Sequence, residues 1–166
     1  MLDPSPKPDR PARCHNQFVP LLSPADQDKL RAEFDKMTRP VRLLFFTQTI
    51  GCETCPQTKQ ILDELPVLSD RIAIEEVNLV LDKERAGQFG VDRSPAIAIA
   101  YEDAAGTVAD SRIRFWGAPA GYEFISLVQA VLLVGGGRES TLTDASKTAL
   151  AAVDRPLTLQ VFTTPT

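Results

Sequence analysis

Val41-Arg42-Leu43-Leu44-Phe45-Phe46 is the segment that most narrows the folds open to this chain. A run this short and this nearly apolar is what a strand needs when both of its faces are covered, whereas a strand with one wet face alternates. Pro40 keeps a preceding helix from running into it. The loop Thr47-Gln48-Thr49-Ile50-Gly51 follows, and then an amphipathic helix is expected from about Cys52 or Cys55 to Leu65, with Ile61, Leu62 and Leu65 turned inward. Residues 72–79 read as the next strand. A buried strand, a helix and a second strand imply a right-handed parallel crossover.

The rest of the chain extends this pattern. Ser23-Pro24 looks like an N-cap with proline at the first helical position, and Leu30, Phe34 and Met37 follow at helical spacing, which predicts a helix over 24–37. Residues 82–89 form a short helix ended by Gly90. Residues 96–101 are a strand, the segment EDAAGT turns, and 112–116 return as a hairpin partner. Residues 119–134 are an amphipathic helix with Phe124, Leu127, Val128, Val131 and Leu132 on its apolar face. Gly135-Gly136-Gly137 stops it; it is no phosphate loop, because it follows a helix rather than leading into one. A further helix is expected over 142–152 and a strand over 157–163. From 41 to 134 the order is β-α-β-α-β-β-α, an α/β arrangement with a mixed central sheet and helices on both faces.

The chemistry concentrates in Gly51-Cys52-Glu53-Thr54-Cys55-Pro56, between the buried strand and the amphipathic helix. The attacking species in disulfide exchange is the thiolate, and a free thiol, titrating near about 8.5, is mostly protonated at neutral pH. A helix N-terminus offers unpaired N–H groups and roughly half a positive charge, both of which favour the anion. The two-residue gap lets the second sulfur reach the first within one turn. Cys52, at the exposed mouth, is the expected attacking thiol, and Cys55, within the turn, the resolving one. Pro56 suits the first turn because its missing N–H is not needed there. A CxxC is also half a zinc site, and only Cys14 and His15 could complete the four ligands; they are adjacent residues on a proline-rich stretch, poor geometry for one tetrahedral ion.

Composition excludes several other roles. Net charge is −4 with no block of lysine or arginine, so neither nucleic acid nor an anionic membrane is an expected partner. No stretch of about 18 apolar residues is present to span a membrane. Residues 1–22 carry five prolines and no apolar period, which reads as a flexible arm; the first residues lack the apolar core of a signal peptide, so the cytoplasm is the expected location. In that compartment a cysteine pair is more often catalytic than structural.

Taken together, these segments resemble the protein disulfide oxidoreductases of archaea and some bacteria, glutaredoxin-like proteins built from two tandem thioredoxin-like units. The likeness is carried by the helix before Pro40-Val41, by Cys52-Glu53-Thr54-Cys55, by Val91-Asp92-Arg93-Ser94-Pro95-Ala96, by Phe115-Trp116-Gly117-Ala118-Pro119-Ala120-Gly121-Tyr122-Glu123-Phe124 and by Leu159-Gln160-Val161-Phe162-Thr163-Thr164-Pro165-Thr166. It covers about residues 24–166. It implies a thioredoxin-like fold and reversible thiol–disulfide exchange with protein disulfides and dithiols, with no bound cofactor or metal. It also implies a cis bond at Ser94–Pro95, with that loop facing the cysteines and Ser94 offering its backbone to a substrate strand. Glu53 and Thr54, between the cysteines, are expected to touch the same substrate. Electrons would come from a reductase of the thioredoxin-reductase type or from glutathione. The resemblance divides the chain into an arm at 1–22, a thioredoxin-like domain at 23–135, and, at 136–166, a linker helix with the first strand of a second unit, as in a piece of a longer protein.

The chain departs from thioredoxins in ways that matter. Those proteins place a buried acid on the strand before the cysteines, as proton acceptor for the resolving thiol; Phe46 stands at that position, and Glu75 or Glu76 could substitute, although glutamates on a strand are more often simply solvated. Gly51 replaces their aromatic residue before the first cysteine, and Glu53-Thr54 replaces their Gly-Pro, which sets a negative charge against the helix dipole. Trp116 is expected to pack in the core or at its rim. Two other functions stay open: a docking or structural half whose catalysis lies in a second unit, and a glutaredoxin-like module holding zinc or an iron–sulfur cluster.

Overall fold

The computed structural model describes residues 21–163. Cys14 and His15 and the arm before Leu21 lie outside the described residues. Helix α1, Pro24–Phe34, is capped by Ser23, whose Oγ accepts from the Asp26 N–H at 3.2 Å. Strand β1 is Val41–Thr47, α2 Cys55–Asp63, β2 Ile72–Asn78, α3 Lys83–Gln88, β3 Ala96–Glu102, β4 Val108–Trp116, α4 Tyr122–Val134 and α5 Asp144–Ala151.

The strands form one mixed sheet in the order β2-β1-β3-β4. β1 runs parallel to β2 and antiparallel to β3, and β3 runs antiparallel to β4. Because side chains alternate along a strand, β1 feeds two cores. Val41, Leu43 and Phe45 join Ile72, Ile97, Ile99 and the buried faces of α2 and α4. Leu44 and Phe46 join Val77, Ala96, Ala98, Ala100 and residues 86–91 around α3. Helices therefore cover both faces, and the continuous apolar character of β1 has its expected cause.

The boundaries differ from the sequence expectations where local turns intervene. α1 ends at Phe34, because Lys36 and Met37 donate three residues back, to Glu33 and Phe34, and tighten the chain into a turn; Met37 is buried all the same. The second hairpin strand begins at Val108, four residues earlier than the sequence suggested. A bulge between Ile99 and Ala100 loops out Ser111 and Arg112, the latter at φ 63°, and so breaks the alternation a reader would follow. α4 starts at Tyr122, not 119, because Gly121 at φ 57° cannot continue a right-handed helix back to Pro119. Residues 157–162 form no strand. Leu159, Val161 and Phe162 are 91%, 78% and 89% exposed, and the sheet offers their backbone groups no partner, without which an alternating pattern is only a pattern.

Among the described residues no helix is long and apolar enough to cross a membrane.

Candidate functional site

β1 delivers the chain to one end of the sheet at Thr47, and β3 begins at that same end, since Phe46 lies opposite Ala96. The loop holding the cysteines and the loop holding Pro95 therefore share one end of the sheet. α2 opens at Cys55, not at Cys52. Cys52 sits three residues ahead of it, on the turn completed by the exposed Glu53 and Thr54. Thr54 is the N-cap residue, and its carbonyl accepts from both the N–H and the hydroxyl of Thr58 at 2.9 Å. Pro56 falls in the first turn, where its missing donor costs nothing.

Cys52 and Cys55 are joined as a disulfide, with Cα atoms 5.4 Å apart. The two sulfurs differ in access. Cys52 is half-buried at the mouth of the helix, whereas Cys55 is 5% exposed and packs in the larger core. A nucleophile arriving from solvent meets Cys52 first, and Cys55 is shielded by the body of the protein.

A cleft of about 380 Å³ opens beside the pair, lined by both cysteines, Phe45, Lys59, Glu76 and Asn78 among others. Lys59 lies one helical turn beyond Cys55. Its ammonium donates to Asp63 Oδ1 at 3.1 Å and stands 3.4 Å from Glu76 Oε2. The hydrogen bond to Asp63, reinforced by the charges of Asp63 and Glu76, outweighs burial and raises its pKa. Lys59 is thus a fixed cation in the cleft, and it carried no signal in the sequence beyond its position four residues after Cys55.

The two candidate acids on β2 separate cleanly. Glu75 lies opposite Leu44 on the α3 side, bound by Arg85 at 2.9 Å and Arg42 at 3.3 Å. Burial pushes its carboxyl up, but the hydrogen bonds and charges of Arg85 and Arg42 prevail and hold it below the usual range. Glu76 lies opposite Phe45 and reaches the cleft. Phe46, matched by sequence to the position of the thioredoxin acid, points away from the cysteines: it is fully buried, with its ring 6.2 Å from that of Phe89 on the α3 face. Phe45 is the β1 residue that faces the sulfurs.

At the head of β3, the Ser94–Pro95 bond is cis. The Pro95 carbonyl accepts from the Gly117 N–H at 3.0 Å. The Ser94 hydroxyl is buried without a partner among the described residues. Trp116 lies at the rim, 44% exposed, with the Arg93 guanidinium 5.0 Å from its ring centroid. Among the described residues no cluster of three or more His, Cys, Asp or Glu side chains could hold a metal ion.

No family model matches the chain. It is 30% identical over 78 residues to a probable thioredoxin of Methanothermobacter thermautotrophicus, a match that covers 46% of this chain and 80% of that protein. Among solved structures it superposes on the NTD_N/C domain of alkylhydroperoxide reductase AhpF from Enterococcus faecalis with a TM-score of 0.67 and 27% identity, covering 78% of this chain and 60% of the other. A protein disulfide oxidoreductase from Aeropyrum pernix gives a TM-score of 0.65 at 26% identity, covering 78% of this chain and 54% of the other. The chain thus spans a little over half the length of these two structures. The likeness to these relatives, together with this chain's own α/β fold and the Cys52–Cys55 disulfide at the head of its first crossover helix, identifies the chain as a member of the thioredoxin family, a thiol–disulfide oxidoreductase.

Proposed function

We propose that this chain exchanges disulfides with protein substrates through Cys52 and Cys55, with Cys52 as the attacking sulfur. The carrying observation is the unequal access of the two sulfurs at the start of α2. In the reducing direction the Cys52 thiolate attacks one sulfur of a substrate disulfide, forming a mixed disulfide and releasing the other substrate sulfur as a thiolate. Cys55, deprotonated, then attacks Cys52 and expels the second substrate thiolate. Two electrons pass to the substrate, whose thiolates take up two protons, and the Cys52–Cys55 disulfide remains. Thiolate attack is favoured where the helix N-terminus supplies positive potential. Glu76, which lines the same cleft as both sulfurs, is the proton acceptor for Cys55, with Lys59 holding its carboxylate near.

The substrate strand lies along Ser94 and Pro95 in the manner of an added β-strand, and Glu53 and Thr54 flank it from the other side. A reductase of the thioredoxin-reductase type or glutathione returns the pair to the dithiol. Residues 23–135 form the working unit, in the cytoplasm. Residues 136–166 lead towards a second thioredoxin-like unit, a reading supported by α5, which buries no side chain, and by the exposed apolar residues after it.

Insulin reduction by dithiothreitol tests this. The wild-type chain should accelerate precipitation of the insulin B chain, Cys52→Ser should abolish the acceleration, and Cys55→Ser should accumulate a covalent mixed disulfide. A wild-type rate equal to dithiothreitol alone refutes the proposal.

A further inference from the structure

The loop that carries Pro95 is held almost entirely from its two ends. α3 closes with Gly90 at φ 62°, the Gly90 N–H donating to Gly87 at 3.1 Å and the Val91 N–H to Ala86 at 2.9 Å. That is the double bond of a Schellman ending, and it consumes two of the helix's free carbonyls. The Phe89 carbonyl is left over. Beyond Val91, which is buried, come the exposed Asp92 and Arg93 and then Ser94, whose hydroxyl has no partner among the described residues.

Arg114 of β4 takes up that leftover carbonyl. Its Nε and Nη2 donate to Phe89 O at 3.0 and 2.8 Å. The guanidinium also stands 5.3 Å from the centroid of the Phe89 ring. Its remaining edge is fixed by Asp110, with Nη1 donating to Oδ1 at 2.8 Å and Nη2 to Oδ2 at 2.6 Å. In a regular strand residues four apart are separated by roughly 13 Å, too far for such a fork. The bulge makes it possible: with Ser111 and Arg112 looped out, Asp110 pairs opposite Ala100 and is drawn up beside Arg114. The Arg112 N–H, turned by its positive φ, donates to Asp110 Oδ1 at 2.8 Å and steadies the carboxylate. Two residues further along β4, Trp116 lies beneath the Arg93 guanidinium and Gly117 binds the Pro95 carbonyl. The short stretch 114–117, from the end of β4 into the residue after it, thus grips the loop at both ends.

We propose that Arg114 is a positioning residue for the proline loop: fixed by Asp110 across the bulge, it pins the carboxyl end of α3 and so sets where residues 90–94 stand beside the Cys52–Cys55 pair. Arg114 touches neither sulfur. It acts on protein substrates, which need the loop, and not on small disulfides, which need only Cys52. This rests on the reading of the loop as a substrate rest.

The test uses the full chain and its Arg114→Gln variant, with three readouts: insulin reduction, reaction of the reduced protein with 4,4′-dithiodipyridine, and amide hydrogen exchange. Loss of a charge-assisted grip should raise KM for insulin about tenfold with kcat nearly unchanged, and leave the dithiodipyridine rate as in the wild type. Exchange over residues 90–94 should quicken while α2 is unaltered, and Arg114→Lys, which can still donate to Phe89 but cannot fork onto Asp110, should restore part of both effects. Should Arg114→Gln not fold, Asp110→Asn leaves the bonds to Phe89 in place but loosens the fork, and is read the same way with smaller changes. Unaltered exchange over 90–94, an unaltered KM, or a fall in both reaction rates together overturns the assignment. Exchange needs no turnover, so an inactive wild type would sink the disulfide-exchange function while the loop measurement still decides the role of Arg114.

Discussion

Substitution of Gly135 by alanine sets two effects of known size against each other. Gly135 is the C-cap of α4, at φ −73° and ψ −3°, a conformation alanine adopts freely. From backbone entropy alone the change should stabilise the protein by about 0.4–1 kcal/mol. The surroundings argue the other way. A Cβ built there would lie 2.5 Å from Met37 Cε, 3.0 Å from Met37 Cγ and 3.1 Å from the Val131 carbonyl. Met37 is 1% exposed, inside the larger core, so its methyl must move into occupied space. Overpacking of this kind costs about 1–3 kcal/mol. Gly135 also cannot retreat, because its carbonyl holds the N–H groups of Thr38 and Arg39 at 2.8 and 3.2 Å. The net expectation is a loss of about 1–2 kcal/mol, a drop in the urea midpoint of about 0.5–1 M. A double-mutant cycle isolates the clash. Met37→Ala costs about 2–5 kcal/mol by itself. In that background Gly135→Ala meets no methyl and should turn stabilising, which puts the coupling at about 1–3 kcal/mol. A midpoint that rises for Gly135→Ala in the otherwise wild-type chain would refute the packing argument.

Glu53→Gln removes a negative charge beside Cys52 and should speed its reaction with a small disulfide at neutral pH by about two- to threefold, an effect that fades with added salt; an unchanged stopped-flow rate counts against the opposition of Glu53 to the helix dipole. Glu76→Gln should slow resolution of the mixed disulfide several-fold below neutral pH while leaving its formation by Cys52 unchanged, which single-turnover kinetics with an insulin disulfide would separate. Glu75, whose folded pKa is lowered by Arg85 and Arg42, contributes stability that is full above its unfolded value of about 4.3 and is lost as pH falls through the folded one. Urea midpoints of wild type and Glu75→Gln should therefore converge as pH is lowered from 6 towards 3, and a constant gap across that range contradicts the ion-pair account.

How much of this was visible in the sequence depends on whether the signal was local. The apolar run 41–46, the helix head at Cys55-Pro56 and the N-cap at Ser23 are written in adjacent residues, and each element lies where its own chemistry puts it. What failed was periodicity read without a partner. Residues 157–163 read as a strand, but no neighbouring backbone receives them. The first residues of β4, from Val108, were hidden for the opposite reason: their partner is real, yet Ser111 and Arg112 interrupt the period that would have joined them to 112–116. The cleft beside the cysteines was half legible. Glu76 could be named, but choosing it over Glu75 needed the register against Leu44 and Phe45. The pairing of Asp110 with Arg114 could not be read at all, because it exists only through the bulge.

β3 speaks differently to its two sides. Towards α2 and α4 it turns Ile97 and Ile99, and towards α3 it turns Ala96, Ala98 and Ala100. Three methyl groups, beside the larger Leu44, Phe46 and Val77 of the neighbouring strands, therefore help set the height at which the six residues of α3 ride above the sheet. Any one of them enlarged, Ala98→Val for example, jacks up that short helix, and the segment tethered to its far end travels with it. The alanine stripe is thus a shim: it leaves little spare volume beneath α3, so a buried enlargement well away from either sulfur is expected to bear on the loop that leads to Pro95.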